Sequence, residues 1–173
     1  MDAITLLKAD HKAVKSMFTA FGKLGENAHS SKRKLVDQMI EALSVHAAIE
    51  ELVFYPAVRK EVENSDSEVL EALEEHHVAK WLLSELEDME PTHERFDAKV
   101  TVLIENVRHH VEEEEKRSDG MFAQARAAEV DLVELRDRMA VRKQQLMAQA
   151  QDVGLPEAKT RTLYHGEGQQ PPA

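Results

Sequence analysis

"SVHAAIEELVFYPAV", residues 44–58, is the stretch whose reading decides the fold. Its apolar residues return every three or four positions, the repeat of a helix with one face turned inward. Within that face His46 and Glu50 stand four positions apart. Four positions is one helical turn, so imidazole and carboxylate lie on the same side. Burying them among Ile49, Val53 and Phe54 is costly unless something satisfies them. Pro56 lacks an amide donor and crowds the preceding turn, so it should kink or end this helix.

The same period extends in both directions. Upstream, Ile4, Leu7, Val14, Phe18 and Phe21 mark one face of a first helix, which "FGKLGENAHSS" (residues 21–31) ends with two glycines and a polar run. Leu35, Met39 and Leu43 lead into the second helix. "ENSDSEV" (residues 63–69) reads as a loop and helix start, Ser65 and Glu68 having the spacing of a capping box. Val69, Leu73, Leu83 and Leu86 mark a third helix, with Trp81 expected between helices in the core. "MEPTHE" (residues 89–94) breaks it, and Val100, Leu103 and Val107 mark a fourth. A fifth segment runs from about 121 to 150, with Leu132, Leu135 and Met139 as an apolar edge that leaves dimerisation open. Residues 153–173 carry Gly, Pro and polar residues without period and read as a disordered tail. No strand alternation is present. The expected fold is all-α: an antiparallel up-down four-helix bundle over 1–125, a further helix over 126–152 packed on or extending from it, and the tail.

The bulk numbers agree. The 173 residues are 42% apolar and 32% charged, with 6 Gly and 5 Pro, as expected of one soluble domain made of long segments. A net charge of −11 argues against nucleic acid and against anionic membrane surfaces. The chain has no cysteine, which excludes disulfides, thiolate metal sites, iron–sulfur clusters and cysteine nucleophiles. The start lacks the basic and apolar runs of a signal peptide, and no stretch has the length of a membrane span, so a cytoplasmic monomer or weak homodimer is expected.

Each of the four bundle helices places one histidine on its inward stripe: His11 between Leu7 and Val14, His46 between Leu43 and Ile49, His76 after Leu73, and His110 after Val107. Glu50 follows His46 by four, and Glu114 follows His110 by four. A single core histidine is ordinarily satisfied by a carbonyl or a water, and a run such as "HVEEEE" is ordinarily a solvated face. Six polar groups meeting in one bundle would leave several unpaired without a cation. Nitrogen and oxygen donors without sulfur suit iron, manganese or zinc. Six side chains exceed a closed tetrahedral zinc site, and two ions bridged by the carboxylates would use them all. A pair of irons is the expectation. His77 lies near the edge of the inward arc and Glu113 beside Glu114, so the period leaves these two as alternatives. Tyr55 is one turn beyond Glu50, where packing is favoured over a role at the site. His29, His93, His109 and His165 are expected at the surface.

"LLKADHKAVKSMF", "HAAIEELVFYP", "EEHHVAKWLLSEL" and "RHHVEEEE" in this order resemble the four helix motifs of the hemerythrin-like, or HHE cation-binding, family over about residues 3–125. The resemblance implies metal ligands at His11, His46, Glu50, His76, His110 and Glu114. It also implies a non-haem di-iron centre with carboxylate and oxo or hydroxo bridges. Members bind dioxygen, sense oxygen, iron or nitric oxide, or decompose peroxide. The chain departs from the oxygen carriers at Lys80, which stands where they have a second third-helix histidine, and in the longer "KRSDGMFAQAR" after Glu114. The favoured expectation is redox-linked binding or sensing of dioxygen, nitric oxide or peroxide. The alternatives are a peroxide-decomposing di-iron enzyme and a metal-free helical interaction module that docks through its fifth helix.

Overall fold

The computed structural model describes residues 1–153, with side chains through 149. Its helices are α1 (Ala3–Phe21), α2 (His29–Ile49), α3 (Tyr55–Glu61), α4 (Asp66–Glu87), α5 (Phe96–Glu115), α6 (Met121–Ala127) and α7 (Leu132–Val153). A π-helical turn, Glu50–Phe54, joins α2 to α3. No strand occurs among the described residues. None of the described helices is long and apolar enough to cross a membrane. The stretch read as a tail, 153–173, lies outside the described residues apart from Val153.

α1, the continuous rod of α2 and α3, α4 and α5 form the expected bundle. α1 packs on α2, α4 packs on α5, and α7 lies along α1, α2 and the π turn. Asp2 starts α1 by accepting the Thr5 amide at 2.8 Å, a cap worth about 1 kcal/mol. The interior divides into two apolar clusters. Ile4, Leu7, Ile49, Phe54, Val58, Phe122 and Met139 belong to one. Val14, Phe18, Met39, Leu83, Phe96 and Leu103 belong to the other. His11 sits in sequence between Leu7 of the first and Val14 of the second, so the polar layer separates the two.

Four local expectations change. Pro56 does not end its helix, because the π turn just before it takes up one extra residue, the Tyr55 amide donating to Glu50 O. Pro56 then sits in the first turn of α3, where a missing donor is harmless. Ser65 occupies the N-cap of α4 but forms no capping box. Its hydroxyl turns back to donate to Val58 O (3.2 Å) and Val62 O (2.9 Å), closing the end of α3. The fifth segment is two helices, broken at Glu129, whose φ of 57° is left-handed. Asp131 restarts the chain by capping the amides of Val133 and Glu134. Leu132, Leu135 and Met139 are buried in the first cluster, so that edge of α7 is already used internally. Trp81 is 52% exposed rather than core. It stands five residues beyond the inward-facing His76, about 140° round the helix, and Lys99 lies over its ring at 5.9 Å.

Gly120 lets α6 fold back on the end of α5. A Cβ there would lie 2.6 Å from Lys116 O and 2.7 Å from Glu113 O. Gly120→Ala is expected to destabilise by about 1–3 kcal/mol, read as a lower Tm in thermal unfolding. An unchanged Tm would show that the close approach is not needed.

Candidate metal centre

The six residues singled out from sequence converge. His11 comes from α1, His46 from α2, Glu50 from the π turn, His76 from α4, and His110 and Glu114 from α5. All six are buried, Glu50 with no exposed surface. His77 is half-buried and Glu113 exposed, so the buried neighbours His76 and Glu114 are the ones that face inward. His93 and His109 are exposed as expected, His29 is half-buried, and His165 lies outside the described residues.

The inward atoms form a ring. His11 Nε2 stands 3.0 Å from His46 Nε2, and His76 Nε2 stands 3.1 Å from His110 Nε2. Glu50 Oε2 bridges the pairs on one side, 3.2 Å from His46 Nε2 and 3.3 Å from His76 Nε2. Glu114 Oε2 bridges them on the other, 3.4 Å from His11 Nε2 and 3.6 Å from His110 Nε2. Donor atoms within 4.8 Å of one another fall into two groups that share Glu50: His11, His46, Glu50 and Glu114, and Glu50, His76 and His110.

An outer ring of carboxylates faces the four imidazoles and hydrogen-bonds three of them. Glu115 Oε1 lies 2.7 Å from His11 Nδ1, Glu51 Oε1 3.0 Å from His76 Nδ1, and Glu75 Oε2 2.7 Å from His110 Nδ1. Asp10 Oδ2 lies 3.5 Å from His46 Nδ1, a charge contact without a hydrogen bond. Each carboxylate is the chain neighbour of a site residue yet serves a histidine on another helix, so the circuit runs α1 to α2, π turn to α4, α4 to α5, and α5 back to α1. Three carry a cation further out: Lys143 of α7 on Asp10 at 2.5 Å, Lys80 on Glu51, and Lys8 at 3.8 Å from Glu115. Lys80 therefore supports the layer that holds His76. Sequence reasoning missed this ring, although its signal was present: a carboxylate directly beside His11, Glu50, His76 and Glu114.

Tyr55 was also undervalued. Its hydroxyl donates to Glu114 Oε1 at 3.0 Å and lies 3.3 Å and 3.4 Å from the Nε2 atoms of His76 and His110. Five α-helical residues rotate by about 140°, which would point Tyr55 away from Glu50. The wider π turn closes that angle, and both are buried at the centre. Such turns recur at functional sites.

Carboxylates only accept, so each imidazole facing one at Nδ1 carries its proton there and turns a lone pair inward. The centre is then lined by acceptors, with the Tyr55 hydroxyl as a donor. Neither oxygen of Glu50, nor Glu114 Oε2, has a hydrogen-bond partner. Lone pairs held 3.0–3.1 Å apart repel unless a cation lies between them. Two imidazole nitrogens about 2.1 Å from one ion and at a right angle stand about 3.0 Å apart, which both histidine pairs match. The residues present fit two cations.

The titration directions agree. Burial, reinforced by the charges of Glu114, Asp10 and Glu51, raises Glu50 well above 4.5. Burial lowers His11 and His46 and pushes His76 down to about 3. At His110 burial also pulls down, but the Glu114 charge and the Glu75 hydrogen bond outweigh it and raise the ring. Burial beside Glu114 and Glu50 keeps the Tyr55 phenol protonated far above its usual range. A cavity of about 30 Å3 abuts all four histidines, walled by Val14, Phe18, Leu43, Leu83, Val107 and Val111.

The model of the hemerythrin HHE cation-binding domain matches residues 2–118. The chain belongs to the hemerythrin HHE cation-binding family. A crystal structure of a hemerythrin HHE cation-binding domain-containing protein from Mycobacterium kansasii superposes with a TM-score of 0.70 at 21% identity, covering 92% of this chain and 98% of that one. This likeness shows that the two share a fold. A protein of Nostoc sp. described as a DNA nickase is 29% identical over 115 residues, 66% of this chain. The match spans 32% of that protein's length. The HHE family match thus covers α1 to α5, with all of α6 and α7 lying beyond it.

In metal-free protein, His76 contributes stability above pH 6.5 that is lost as pH falls toward about 3. Glu50 acts oppositely: its contribution is complete below 4.5 and is lost as pH rises. Glu50→Gln should therefore stabilise metal-free protein at pH 8 by about 1–3 kcal/mol and change little at pH 4. Urea unfolding in chelator reads both. Equal stability of the two proteins at pH 8 would mean that Glu50 is not an uncompensated buried acid.

Proposed function

We propose that this HHE domain holds a non-haem pair of irons through His11, His46, Glu50, His76, His110 and Glu114, and that it binds a small redox ligand beside them. The observation that carries this reading is the buried ring of acceptors, in which Glu50 has no hydrogen-bond partner. When bound, the irons supply open coordination positions and reversible electron transfer.

The chain's own residues do the rest. The outer carboxylates hold the rings of His11, His76 and His110 so that Nε2 faces inward. The apolar cavity excludes bulk water and has room for a molecule the size of one or two waters, which suits dioxygen, nitric oxide, azide or peroxide. Lys15, Lys80, Arg108 and Glu75 also line it, a mixed charge at its rim. The chain's net charge of −11 gives no support for nucleic acid as the partner.

Peroxide decomposition is a second reading, favoured by Tyr55. Its hydroxyl holds a proton at the centre, 3.0 Å from Glu114, and peroxide cleavage to water consumes protons. Tyr55→Phe would keep its metal but lose most oxygen evolution if that reading holds; evolution at the wild-type rate would remove it.

Protein expressed with iron is expected to carry two irons per chain and a visible absorption band that shifts with azide. His46→Ala should drop to one iron or fewer. Iron-loaded wild-type protein with no spectral response to azide or to deoxygenation would overturn ligand binding.

A further inference from the structure

We propose that an acidic cleft between α4 and α5 is the route by which divalent cations enter the centre, an inference that rests on the two-cation reading above. Glu68, Glu71 and Glu75 lie on one stripe of α4 at spacings of three and four. Together with Glu113 of α5 they line a space of about 30 Å3 floored by His110 and Glu114. Glu114 is buried, and its Oε2 has no hydrogen-bond partner. A stripe of carboxylates thus runs from the surface to Glu114 of the centre itself, whose Oε1 accepts from Tyr55 while Oε2 is left over.

Part of the cleft's charge is met locally, Glu75 lying 2.7 Å from His110 Nδ1 and 3.5 Å from His109 Nε2. Glu68 accepts from the neutral amide of Gln124 at 2.7 Å, and Lys116, whose charge reaches Glu113 and Glu68, is ion-paired with Asp119. The cavity on the histidine side has Lys15, Lys80 and Arg108 in its lining together with Glu75, a mixed charge. The cleft, with Glu68, Glu71 and Glu113 in its lining, is the more acidic of the two sides. A low-dielectric cleft of one sign concentrates ions of the other and speeds their arrival. Its effect fades as salt screens it.

The test follows uptake of Co2+ by metal-free protein in a stopped-flow spectrometer, through the visible absorption of the bound ion. Replacing Glu68→Gln, Glu71→Gln and Glu113→Gln together should slow uptake about tenfold at low salt, with less difference at high salt. The final two equivalents should be retained. A control triple of Glu26→Gln, Glu87→Gln and Glu94→Gln removes the same charge from exposed positions. Glu87 lies 16 residues from Glu71, about 24 Å along α4, and the control should load within about twofold of wild type, the distant charges being largely screened. Loading of the cleft triple at the wild-type rate, or equal slowing of both triples, would overturn the route while leaving the two-cation reading intact. Failure of wild-type protein to take up Co2+ would overturn that reading and the route with it.

Discussion

The structure depends on an arrangement that is unfavourable by itself: four imidazole lone pairs and two carboxylates held face to face in a buried layer. An unpaired buried acceptor costs about 1–3 kcal/mol, more when charged, and here several are gathered within 4.8 Å of one another. Helices bring them together because each carries its histidine inside an apolar stripe, and burial of the two flanking clusters drives all four stripes inward. Hydrophobic packing thus compresses the acceptors, and bound cations would relieve the compression. The raised pKa values of Glu50 and His110 express the same demand, since protons are favoured where cations would sit.

The outer circuit explains how four separate rods hold one geometry. Each supporting carboxylate is fixed by the helix that also supplies a site residue next to it, and it orients a ring on a neighbouring helix. A displacement of any one rod moves one ligand and the support of another. α7 joins the circuit through Lys143 on Asp10, which faces His46. This helix, which lies wholly beyond the family match, is therefore connected to the centre by two contacts.

Helical period made most of this legible in advance. His11, His46, His76, His110 and the i+4 glutamates follow directly from stripes that recur at three and four residues, because an unbroken α-helix preserves phase. Where phase changes, the reading fails. Tyr55 shares a face with Glu50 only through the π turn, a local insertion with no distinctive residue pattern. The break at Glu129 and the backward turn of the Ser65 hydroxyl depend on tertiary packing that spacing does not encode. Trp81 was misplaced for a different reason: bulk and apolarity suggested the core, whereas its own position, five residues from His76, already placed it outside. The outer carboxylates were visible as neighbours of the ligands, but a neighbour on a helix points about 100° away. Their role appears only when the adjacent helix is in place.

Anomalous diffraction at the iron edge, from crystals of protein expressed with iron, tests the central claim most directly. The account predicts two peaks, one among His11, His46, Glu50 and Glu114 and one among Glu50, His76 and His110, with Glu50 touching both. Absence of peaks there, with Glu50 and the imidazole nitrogens satisfied by water or by protein donors instead, would contradict it.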